Sequence, residues 1–99
     1  LYYSGKDSAG NRYTRREFDS MLTSTATSIT VTSADENVLI LTPGGTCTVS
    51  PSGSFPDGFL LTIKNLHGSN TVNFNSIGAF GQVVKRYIYD RTNNSWNEI

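Results

Sequence analysis

The chain has 99 residues, a formal net charge of zero and a hydrophobic fraction of 36%. That length holds one domain and no second core, and the charge balance lacks the basic excess that phosphate contacts require, so nucleic acid is not an expected partner. No apolar run approaches the ~20 residues that span a bilayer and no signal peptide stands out, so membrane insertion is not expected either.

Ser, Thr and Asn make up about a third of the residues, a composition that favours turns, short strands and a hydroxyl-covered surface. The apolar content is thin for a free-standing globule. Sharing a core between copies is one answer to that, because association adds buried apolar area. The chain opens on Leu1 rather than Met, which reads as a piece of something longer.

In chain order, Leu1-Tyr2-Tyr3 reads as extended and Ser8-Ala9-Gly10-Asn11 as a turn. Thr14 followed by Glu17 is a capping-box pattern, with Phe18, Met21 and Leu22 at helical spacing, which predicts a helix of about two turns over Arg15–Leu22. Residues 1–27 form on this reading an N-terminal linker or shaft junction, and 28–99 a β domain. From Ser28 the period becomes two. Strands are predicted at Ser28–Thr32, Asn37–Thr42, Thr46–Ser50, Phe59–Asn65, Thr71–Phe74, Val83–Asp90 and Ser95–Ile99. Turn signals separate them at Ala34-Asp35-Glu36, Pro43-Gly44-Gly45, 51–58, His67-Gly68-Ser69-Asn70 and Thr92-Asn93-Asn94. Short strands so spaced predict a mostly β domain, a small antiparallel sandwich, jelly roll or barrel. The last pair reads as a hairpin.

Alternation assigns the inward face to Ile29 and Val31, Leu39 and Leu41, Cys47 and Val49, Leu61 and Ile63, and Val72 and Phe74. Val38, Ile40 and Leu60 occupy the opposite phase. Strands apolar on both faces are covered on both sides, and the second cover is assigned to another subunit.

No chemistry of an enzyme emerges. Cys47 is the sole cysteine and His67 the sole histidine, so neither an internal disulfide nor a zinc site within one chain is available. Cys47 alternates with Val49 and reads as a small buried hydrophobe rather than a nucleophile. Asp35-Glu36 and Asp57 sit in turn signals, where acids bond local backbone, and no G-x-S-x-G elbow or P-loop is present. No catalytic residue, metal or cofactor is assigned. Arg15-Arg16 and Lys85-Arg86 read as solvated faces, and Asn93-Asn94-Ser95 matches a glycosylation sequon without any sign of secretion. Aromatics carry more information. In the final hairpin Tyr87, Tyr89, Asp90, Arg91, Asn94 and Trp96 combine ring faces with hydrogen-bonding groups, the chemistry a glycan asks for. The competing reading packs Tyr87, Tyr89 and Trp96 within the hairpin.

The stretches SITVTSADENVLILTPGGTCTVSP, DGFLLTIKNLHGSNTVNFN and YIYDRTNNSWNEI resemble the small β domains that end bacteriophage tail fibres, tailspikes and head fibres. The resemblance covers roughly residues 28–99 and rests on an LT-I-N strand before a Gly/Asn turn and a closing Y-D-x-T-x-N-x-W hairpin. It implies a homotrimeric fibre domain of the virion, without enzymatic activity, serving host-surface attachment, fibre trimerisation or both, with a host cell-surface glycan as a partner. It fixes no binding residue. A monomeric carbohydrate-binding module of a secreted or surface enzyme is the alternative that the residues leave open.

Overall fold

The computed structural model describes residues 2–6 and 12–16, as backbone, and residues 18–99. Strands β1 (Tyr2–Lys6) and β2 (Arg12–Arg16) pair antiparallel in a small sheet of their own. There follow β3 (Met21–Ser24), β4 (Ser28–Val31), β5 (Val38–Leu41), β6 (Cys47–Pro51), β7 (Leu60–Asn65), β8 (Val72–Phe74), β9 (Ala79–Phe80), β10 (Val84–Asp90) and β11 (Ser95–Glu98). These divide between a five-stranded sheet, β11-β10-β7-β5-β3, and a four-stranded one, β4-β6-β8-β9.

The centres of both sheets are parallel. β3, β5 and β7 run the same way, as do β4, β6 and β8. Each successive pair, β3 with β4, β5 with β6 and β7 with β8, is therefore one rung of a short two-sided coil. Parallel neighbours need a crossover rather than a tight turn, and here the crossover is a strand of the opposite sheet, as in a solenoid. The inter-rung bonding continues round the corners. Thr42 N–H donates to Ser24 O (3.0 Å), Thr48 N–H to Thr27 O (3.0 Å) and Leu66 N–H to Leu41 O (2.7 Å). After the third rung the stacking reverses, with β9 antiparallel to β8 and the β10–β11 hairpin antiparallel to β7.

Two expectations are corrected. The sheets are mixed, not the antiparallel sheets of a sandwich or jelly roll. The turn signals Pro43-Gly44-Gly45 and His67-Gly68-Ser69-Asn70 fall at corners between the sheets. The helix over Arg15–Leu22 is absent too. Arg15 and Arg16 belong to β2, and Met21 and Leu22 to β3. Glu17 of the capping box, Leu1 and the turn at Ser8–Asn11 lie outside the described residues. A two-turn helix is marginal alone, whereas Met21–Ser24 gains a full register with β5, Met21 opposite Val38 through Ser24 opposite Leu41. The five-stranded sheet thus takes in residues ahead of the Ser28 boundary.

All ten residues assigned to the inward face are buried and belong to one cluster drawn from both sheets, joined by Phe55, Phe59, Phe80 and Tyr87. Each large member contributes about 1.5–3 kcal/mol by leaving water. Cys47 is buried and free, and burial pushes its thiol pKa up, so it is sealed as a hydrophobe. Two buried amides secure the chain between strands. Asn37 Oδ1 accepts from Asp19 N–H (3.1 Å) and Ser20 N–H (3.4 Å), while Asn65 bonds Asn70, Phe80 and His67 backbone.

The outer faces differ. On the four-stranded sheet Ser28, Thr30, Thr48 and Ser50 present hydroxyls to solvent. On the five-stranded sheet Met21, Val38, Thr62 and Arg86 share one row, and Thr23, Ile40, Lys64 and Val84 the next. Arg86 is half-buried, with its guanidinium 6.0 Å from the Phe18 ring centre. Lys85 is half-buried and paired with Glu98 at 3.0 Å. The pair Lys85-Arg86 is therefore not a freely solvated patch.

Candidate functional site

Position in the hairpin decides what each aromatic residue can do. β10 and β11 pair Tyr87 with Glu98 and Tyr89 with Trp96, closing at Asp90 opposite Ser95. Tyr87 points into the core. It is 1% exposed, with its ring centre 4.5 Å from that of Phe74. Desolvation, with Glu98 nearby adding to it, pushes its pKa up to about 12. An unfolded tyrosine ionises near 10, so the folded state holds this proton more tightly. The stability it contributes is complete below about pH 10 and is lost as the pH rises through about 12, on the order of 2–3 kcal/mol in all. Urea midpoints measured along an alkaline series should fall across that window, and Tyr87→Phe should flatten the fall.

Tyr89 and Trp96 are half-buried at the opposite end of the hairpin from the Lys85–Glu98 pair. Trp96 lies 4.9 Å from Phe55, 5.2 Å from Phe74 and 5.1 Å from Tyr89, ring centre to ring centre. Phe55 comes from the loop after β6, which is tied to the hairpin by Gly58 N–H to Tyr89 O (2.8 Å) and Tyr89 N–H to Phe59 O (3.0 Å). Asp57 Oδ1 accepts from Arg91 N–H at 3.0 Å. Gly58, at φ 82, supplies the left-handed residue of the Pro56–Phe59 turn, a position that favours glycine.

These pieces enclose a cleft of about 250 Å³ lined by Pro51, Gly53, Phe55, Asn75, Tyr89, Asn94 and Trp96. Asn94 has φ 49, and the Tyr89 hydroxyl donates to its Oδ1. Asn75 and Ser76 are also left-handed, at φ 49 and 56, and Ile77 N–H closes the turn on Phe74 O at 2.9 Å. Two successive left-handed residues are what a type I′ turn requires, here inside the five-residue connection between Asn73 and Ala79. Asn75 N–H donates to Val49 O (2.9 Å), which sets the turn beside the end of β6.

Of the six residues singled out in the hairpin, Tyr89, Asn94 and Trp96 line the cleft. Tyr87 does not reach it, because its ring is consumed by the core. Asp90 folds the loop instead, its carboxylate accepting from Asn93 Nδ2 at 2.6 Å, and Arg91 sits exposed on that loop. Sequence reasoning missed Pro51, Gly53, Phe55 and Asn75. The Asn75-Ser76 pair followed by Gly78 was a readable turn signal.

His67 shapes a corner. Its Nδ1 accepts from Asn70 N–H (2.8 Å) and Ser69 N–H (3.1 Å), while Asn70 Nδ2 reaches across to Pro43 O (2.9 Å). Among the described residues no three of His, Cys, Asp and Glu gather as a metal ion would require, and no helix is long and apolar enough to cross a membrane. No family model, no curated protein and no solved structure matches the chain.

Proposed function

We propose that this chain is a structural domain of a bacteriophage fibre, a homotrimer in the virion that serves host-surface attachment, fibre trimerisation or both. The observation that supports this most is the outer face of the five-stranded sheet. Met21, Val84 and Phe18 stand 62%, 50% and 55% exposed there. Behind them Val38 is buried and Ile40, Leu60 and Ile88 half-buried. Ile99, 64% exposed, is bonded through its N–H to Arg86 O. Exposed apolar side chains gathered on one face mark an interaction site, here with the exposed Lys64 in the row between Ile40 and Val84. The outer face of the four-stranded sheet presents hydroxyls instead.

Val84→Glu and Met21→Glu place a charge on that face at positions exposed in the protomer, so folding should survive while association is lost. Thr30→Glu, on the other sheet, should leave association unchanged. Sedimentation velocity on the three variants checks this, and equal behaviour of all three would remove the interface. The cleft favours a second reading, a monomeric carbohydrate-binding module, for which none of the three substitutions changes the mass.

A further inference from the structure

We infer that the cleft between the loop after β6, the Asn75-Ser76 turn and the β10–β11 hairpin is a subsite for one neutral pyranose ring. The inference rests on the attachment reading and gives it a ligand. Three features carry it.

The first is the lining. Asn75 and Asn94 supply amides and Tyr89 a hydroxyl, the half-buried Tyr89 and Trp96 rings flank them, and Phe55 lies buried beneath. No carboxylate, ammonium or guanidinium belongs to the lining. A charged ligand would lose water there without gaining a counter-charge. A sugar presents apolar C–H faces flanked by hydroxyls, each both donor and acceptor, and an amide offers both functions to a pair of them. The second is size. About 250 Å³ falls below the roughly 300–1,000 Å³ of pockets that enclose drug-sized molecules, which suits a single ring.

The third is preorganisation. Asn94 is held by the Tyr89 hydroxyl, and Asn75 by its backbone bond to Val49. Both project from left-handed turns, and Ser76 adopts φ 56 without being glycine. Among the described residues the Asn75 side-chain amide has no hydrogen-bond partner, so it is available. Polar groups fixed before binding lose little freedom on binding.

The test uses the intact chain and its only tryptophan, Trp96, as the reporter. Methyl glycosides of glucose, galactose, mannose and N-acetylglucosamine are titrated, with glucuronic acid as the charged probe. At least one neutral glycoside should shift the fluorescence saturably with Kd on the order of 1 mM, and glucuronic acid should bind about tenfold or more weakly. Asn75→Gly preserves the left-handed turn and removes the amide, so its affinity should fall about tenfold at an unchanged thermal midpoint. Amide resonances of Asn75 and Asn94 should move on saturation while those of the His67–Asn70 corner stay fixed, a readout that depends on no variant. No saturable response to any neutral glycoside, equal binding of glucuronic acid, or undiminished affinity in Asn75→Gly would overturn the subsite. A trimer that binds no sugar defeats this inference alone, and a monomer that binds one defeats only the fibre assembly.

Discussion

Trp96→Ala should lower the unfolding free energy by about 3–5 kcal/mol, the range for truncating a large aromatic in a packed site. Trp96 is half-buried, yet it bridges three parts of the fold. It meets Phe74 from the four-stranded sheet, Tyr89 from the five-stranded sheet, and Phe55 and Phe59 from the loop between β6 and β7. Edge-to-face and tilted aromatic pairs are each worth about 0.5–1.5 kcal/mol beyond their buried area. β11 is an edge strand, so few other contacts can replace these. Urea unfolding followed by far-ultraviolet circular dichroism measures the loss. A change below about 1 kcal/mol, the size of an ordinary surface effect, would show that Trp96 decorates the hairpin rather than anchoring it.

Asn65→Ala should cost about 2–4 kcal/mol, because truncation strands buried polar groups as well as deleting bonds. Asn65 is 1% exposed at the end of β7. Its Nδ2 donates to Asn70 O (2.9 Å) and Phe80 O (3.3 Å), and its Oδ1 accepts from His67 N–H (2.9 Å). It therefore ties the third rung's corner to β9, where the parallel stack ends. Asn65→Asp should rescue little, since a carboxylate cannot donate to the two carbonyls. Urea denaturation gives the magnitude, and hydrogen exchange at the His67 amide should quicken in Asn65→Ala, which removes its acceptor, and stay slower in Asn65→Asp, which keeps one. Full stability in Asn65→Ala would mean the corner is held by the His67–Asn70 turn alone.

Much of the inner architecture was legible in the residues, and the reason it stopped there is physical. Period-two alternation tells which side chains point inward, so Ile29, Val49, Leu61 and Phe74 are read correctly, as is the burial of Cys47. Alternation does not say which strand lies beside which. The pairing of β5 with β7 and β6 with β8 depends on long-range contacts across loops of unequal length, which also hide the rung as a repeat. At Met21–Ser24 a short cap-and-spacing signal for helix competed with pairing to β5, and the tertiary contact prevailed. Val38, Ile40 and Leu60, apolar on the second face, read as a sign of cover by another subunit and carry no information on strand direction, since the parallel β4 and β6 have Ser and Thr there. In the site, the hairpin contributions of Tyr89, Asn94 and Trp96 were readable because they are local. Phe55 and Asn75 come from distant loops, and only the fold brings them to the same cleft.

The central claim is that the apolar face of the five-stranded sheet meets copies of itself, and the molar mass in solution tests it most directly. Multi-angle light scattering of the unmodified chain at micromolar concentration should return about 32 kDa, three times the 10.8 kDa of one chain. A single species at 10.8 kDa would contradict the claim and leave that face without the partner assigned to it.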